Sequence, residues 1–197
     1  MGLVIGMDEA GYGPNLGPLV ISVTAWDVPG DPHDFDFWTR LEPCISRKPL
    51  PHAAGETRER LHFGDSKQVY SPSRGLSSLE CSVLSLLSLN LESTDSLPRL
   101  WQQLTGAAPA GPHIEPWFAA PELDLNLPLT VSPEHVQAGS ASLHRALDEC
   151  GVKLRAIASD VMLTHRFNRE SQAAGSKGAV LSRASLELLR TVWDPDN

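Results

Sequence analysis

The chain has 197 residues, 41% of them hydrophobic, enough for one substantial core. It contains no apolar run of bilayer length and no basic-then-apolar secretory signal at its start, so a soluble protein without a membrane partner, in a cytoplasmic location, is the expectation. Its net charge of −8 argues mildly against a nucleic-acid partner, yet from Gly151 onward seven Lys/Arg face five Asp/Glu, a net of +2.

The first element is a short apolar run, Leu3 to Met7, with the length and flanking glycines of a buried strand. It delivers two adjacent carboxylates, Asp8 and Glu9, and then a turn rich in glycine and proline: Gly11, Gly13, Pro14 and Gly17. Consecutive residues of a strand point to opposite faces, so the backbone has to twist or break for both acids to meet one ligand. Glycines after the acids supply that freedom and let backbone approach a bulky polyanion. Leu19 to Trp26 reads as a second strand, with Leu19, Ile21, Val23 and Ala25 on one face, and the two strands make a hairpin.

From Val28 to Pro51 five prolines predict a surface loop, with one helical turn around Asp36 to Leu41 and Phe35, Phe37 and Trp38 pinning it to the body. A short extended segment at Arg60–Gly64 leads into Asp65-Ser66-Lys67, a polar turn in which Asp65 orients Lys67 or caps the loop. His62 reads as a packing residue. Ser71 and Pro72 signal a helix start, and Leu76, Leu79, Val83, Leu86 and Leu87 predict the stripe that packs on the sheet, leaving a serine-rich outer face.

Seven prolines between Leu97 and Pro133 predict an insertion with a short helix at Leu97 to Leu104. Trp101, Trp117 and Phe118 either anchor that insertion or stack on bases; the scarcity of nearby basic residues favours anchoring. Ser132 opens a helix to about Cys150, closed by Gly151. Lys153 to Leu163 is a strand bearing Asp160, a candidate third carboxylate unless it faces solvent or pairs with Arg155 or Arg166. A final amphipathic helix covers Lys177 to Val192, with Val180, Leu181, Leu188, Leu189 and Val192 inward. Cys44, Cys81 and Cys150 fit neither a disulfide framework nor a zinc site, and read as reduced thiols.

The pattern Gly6-x-Asp8-Glu9-Ala10-Gly11-x-Gly13-Pro14-x-x-Gly17-Pro18 resembles the opening motif of type 2 ribonuclease H, or ribonuclease HII, and Asp65-Ser66-Lys67 resembles that family's second signature. The resemblance implies an α/β fold, a ribonuclease H-like mixed sheet flanked by helices. Residues 1–197 would form a single domain with proline-rich insertions at about 28–60 and 97–132. It further implies an endonuclease that cleaves the RNA strand of RNA/DNA hybrids with two Mg²⁺ or Mn²⁺ ions held by four carboxylates. Asp8 and Glu9 match the first two of these as catalytic and metal-binding residues. Gly11 and Gly13 match the glycines whose backbone meets the ribonucleotide, with Asp65, Ser66 and Lys67 beside the substrate. Between those glycines the family has Arg, where this chain has Tyr12, which offers one hydroxyl and a ring that can stack on a sugar or base. A further strand and helix carrying the third and fourth acids would follow the last helix, and residues 193–197 contain neither. Either the chain is C-terminally incomplete, or its site is rearranged, with Asp160 as the internal candidate, or it has lost activity. The alternative is a catalytically silent ribonuclease H-like domain that binds nucleic acid or a protein.

Overall fold

A computed structural model describes residues 1–48, 60–70, 72–73, 75–109, 115 and 123–193. The strands are β1 (Gly2–Ala10), β2 (Leu19–Val28), β3 (Ile45–Ser46), β4 (Leu61–His62) and β5 (Lys153–Met162). The helices are α1 (Phe37–Arg40), α2 (Ser66–Val69), α3 (Ser77–Leu87), α4 (Leu97–Thr105), α5 (Pro133–Cys150), α6 (Thr164–Ala174) and α7 (Lys177–Val192). The protein is thus mixed α/β, and no helix among the described residues is long and apolar enough to cross a membrane. The residues group into two compact units, 1–3, 27–96 and 126–153 in one and 4–26, 97–125 and 154–197 in the other. Three of the five divisions fall near strand ends, and the other two bracket 97–125, which begins where the proline-rich insertion does.

A three-stranded sheet in the order β1-β2-β5 follows from the alternation in β2. Leu19, Ile21, Val23 and Ala25 are each no more than 1% exposed, as their period of two predicts. β1 departs from expectation. It runs through Asp8 and Glu9 to Ala10, and as an edge strand it is half-exposed over Gly2–Ile5 and exposed over Gly6–Ala10. Its apolar run reads as a buried strand, but an edge strand has a neighbour on only one side.

In the first unit, β3 and β4 pair in parallel, with Ile45 opposite Leu61 and Ser46 opposite His62. The proline-rich segment before β3 is therefore more than surface decoration. Leu41, Cys44 and Ile45 are core residues, and Asp36 caps the predicted helical turn by accepting from the Trp38 N–H at 3.0 Å. Burial, with Cys150 adding to it, pushes the Cys44 thiol up to about 11, so it stays protonated at neutral pH. All three cysteines are free thiols.

Helix α3 is turned from the predicted orientation, keeping Leu87 inward. It begins at Ser77, and Ser71, the predicted cap, lies outside the described residues. Leu76 and Val83 are 45% and 42% exposed, while Cys81, Ser82, Leu84, Ser85 and Leu87 are buried. The hydroxyls lose nothing by burial, because Ser82 donates to the His62 carbonyl at 2.9 Å and Ser85 to the Val136 carbonyl at 3.1 Å. Small residues here let α3 pack closely on α5, and the helix also lies against β4. A β-carbon at Gly139 of α5 would lie 2.5 Å from Ser85 Oγ and 2.7 Å from Leu61 Cδ2. Glu80 ties the same helix to the segment before α5, accepting from the Leu129 and Thr130 amides and the Thr130 hydroxyl. Burial works against its charge, but these donors and the Val131 amide outweigh it and hold Glu80 below the usual carboxylate range.

In the second unit, α6 packs on α7, with Phe167, Val180, Ala184, Leu188 and Val192 buried. The bounds of α7 are those its periodicity predicts. Trp117 and Phe118, offered as anchors, lie outside the described residues.

Two substitutions test this packing. Gly139→Ala should cost about 1–3 kcal/mol by overpacking the α3–α5 contact, seen as a lower midpoint in urea at unchanged slope; an unshifted midpoint would contradict the contact. Glu80→Gln should lower stability at pH 7. Because the folded carboxyl sits below its ordinary value of about 4.3, its contribution is full above that value and disappears as pH falls through the lower folded one. The gap between variant and parent should therefore close on acidification from pH 6 to pH 3.

Candidate functional site

The acidic turn belongs to the second unit. β1 keeps extended backbone through Ala10, so the chain turns after the acids, at Gly11, and not between them as the sequence suggests. Adjacent positions on a strand point to opposite faces, and Asp8 and Glu9 keep that relation. Both are exposed, and Asp8 Oδ1 accepts the Glu9 N–H at 2.9 Å.

Gly11 adopts φ 77°, and a β-carbon there would collide with the Pro18 carbonyl oxygen. The turn therefore folds back on itself at that point, and only glycine satisfies both the left-handed backbone and the contact. Gly13 repeats the left-handed conformation at φ 76°. Across from it stands Lys177, the first residue of α7, whose ammonium would lie 3.7 Å from a Gly13 β-carbon. Between the glycines, Tyr12 is 52% exposed and meets the buried Phe167 edge to face, ring centroids 6.4 Å apart at 85°.

Asp160 is placed differently from a metal ligand. Arg166, in the first turn of α6, donates to both its carboxylate oxygens, at 2.6 Å and 2.9 Å, and to Glu170 at 2.8 Å. Partial burial opposes the charge of Arg166, but the hydrogen bonds and charges of Asp160 and then Glu170 outweigh it and raise its pKa above the ordinary value. The pairing with Arg166 that the sequence offers as the alternative is the one formed. Among the described residues no three His, Cys, Asp or Glu side chains stand close enough to hold an ion.

Asp65-Ser66-Lys67 lies in the first unit. Asp65 caps α2 by accepting the Lys67 N–H at 2.8 Å, so its role as a cap is explained by the helix it starts. Lys67 and Ser66 are exposed. Nearby in sequence, His62 is buried, with Nε2 3.3 Å from the Arg47 carbonyl oxygen, consistent with a packing residue.

Two residues of this region escape sequence reading. Glu115, 4% exposed, accepts the His165 N–H at 2.9 Å and serves as cap for α6, whose own N-cap, Leu163, has no side-chain acceptor. Nothing in a proline-rich stretch marks one acid as buried. Lys177 reads only as a helix end, and its link to Gly13 spans 164 positions of sequence.

Asp8 and Glu9 offer hard oxygen donors in water. They suit a Mg²⁺ or Mn²⁺ ion that keeps most of its own water and completes its shell with a phosphate, as Mg²⁺ commonly does. With the two acids on opposite faces, each offers such an ion a single carboxylate, and the described residues do not form the larger cage that the four-carboxylate pattern implies. No protein-family model matches the chain, and no curated protein or solved structure matches it significantly.

The Asp160–Arg166 pair is open to a double-mutant cycle. Asp160→Asn and Arg166→Met should each destabilise, with a coupling of about 1–2 kcal/mol after allowance for partial solvent screening. Additive effects in denaturant unfolding would show that the pair is not coupled.

Proposed function

We propose that this chain carries the acidic half of a metal-dependent nuclease site that acts on the RNA strand of RNA/DNA hybrids. The observation that carries this reading is the sequence of features along one short path: Asp8 and Glu9 exposed at the end of β1, then a turn whose glycine backbone is free of β-carbons, with the Lys177 ammonium across it. Carboxylates alone would repel a phosphodiester. A divalent ion, when bound, supplies the charge that reverses this repulsion and an activated water for in-line attack at phosphorus. Asp8 would hold that ion; for Glu9, on the opposite face of the strand, to join it the strand end would have to twist. Gly11 and Gly13 keep the turn's backbone open to a ribose or phosphate, and Tyr12 presents a ring to a sugar or base.

A second reading is a ribonuclease H-like domain that binds nucleic acid without cutting it. The observation favouring it is the engagement of Asp160 by Arg166, which takes the internal candidate for a third carboxylate away from a metal.

The two separate in one assay. A labelled RNA/DNA hybrid incubated with Mn²⁺ should be cleaved by the chain, and Asp8→Asn should lower the rate at least a hundredfold, the scale expected when a ligand of a catalytic metal is lost. Folded protein that binds the hybrid but never cuts it would support the silent domain.

A further inference from the structure

We propose that Lys177 is the phosphate-binding residue of this site, the group that turns the glycine loop into a seat for a nucleic-acid backbone. Four observations lead there. Its ammonium lies across Gly13, at 3.7 Å from where a β-carbon would stand, so a substituent at that glycine would occupy the space in front of the cation. No carboxylate pairs with it among the described residues, in contrast to Arg166, which is shared between Asp160 and Glu170. The first turn of α7 contains no acid, and a cation there is unfavourable for the helix itself, since the N-terminal end is already positive. Finally, Ser176 already caps α7 by accepting the Ala179 N–H at 3.4 Å, so the lysine is not needed to finish the helix.

An exposed lysine placed where it costs its own helix something, and aimed over a backbone without β-carbons, suits a ligand that brings negative charge close to the main chain. Phosphodiester oxygens do this. A compact ammonium binds a phosphate as a point charge without reading sequence, so the ligand class is a nucleic-acid backbone and the contact is sequence-independent. The exposed ring of Tyr12, one residue from Gly13, lies on the same turn.

The inference rests on the substrate half of the proposed function, not on cleavage. It is tested by fluorescence anisotropy with a labelled RNA/DNA hybrid in EDTA, across 50–200 mM salt. Lys177→Gln should weaken binding about three- to tenfold at the low-salt end and lower the slope of log affinity against log salt by about one, the signature of one lost phosphate contact. Lys177→Arg should restore both. The lysine is exposed, and matching circular dichroism spectra confirm that the variants are folded. Parental affinity and slope in Lys177→Gln would overturn the assignment, as would a parent chain that does not bind the hybrid. Failure of the nuclease reading looks different: salt-dependent binding that needs Lys177, with no cleavage in Mn²⁺.

Discussion

The contact between Gly11 and the Pro18 carbonyl governs the geometry of the candidate site. A left-handed residue at that point brings the turn back onto its own far end, so that β1 can lead into β2 and the central strand can take its place in the sheet. Any side chain at Gly11 would have to displace backbone, not the mobile end of a neighbour. Everything proposed to act on a ligand follows from this one closure: the acids end the strand just before it, Tyr12 and Gly13 come just after it, and Gly13 is thereby set beside Lys177.

Charge is distributed around that turn in two different ways. Asp160, Arg166 and Glu170 satisfy one another, and a partly buried bidentate pair of this kind resists both loss of its proton and recruitment to a metal. Asp8, Glu9 and Lys177 are left facing water. Groups that a fold does not use for itself are the ones available to a ligand, and here they comprise two carboxylates and an ammonium. Tyr12, where the resembled family has arginine, fits this division, because its ring is held by Phe167 and contributes no charge of its own.

Much of this could be read from sequence where one physical signal dominated. The alternation of Leu19, Ile21, Val23 and Ala25 specifies β2, and Gly151, left-handed at φ 68°, closes α5 where a glycine is expected. The 3.6-residue repeat of α7 likewise gives its bounds. Helix α3 misled because leucines are spread around it, so hydrophobicity could not identify the inner face; the decisive property was the small size of Ser85 against Gly139. Helix α6 was missed because Phe167 is its only buried residue and polar side chains dominate the rest. In the site, the acids and glycines were legible as a local motif. The partners of Asp160 were foreseen as one alternative of several, whereas Glu115 and Lys177 act through contacts that no local pattern encodes.

The account stands on Asp8 as the residue that holds a divalent ion in water. Titration of the chain with Mn²⁺, followed by electron paramagnetic resonance of the free ion, tests this without requiring turnover. The predicted result is weak binding of one ion that Asp8→Asn abolishes and Asp160→Asn leaves intact. Binding that survives Asp8→Asn, or that depends on Asp160, would contradict it.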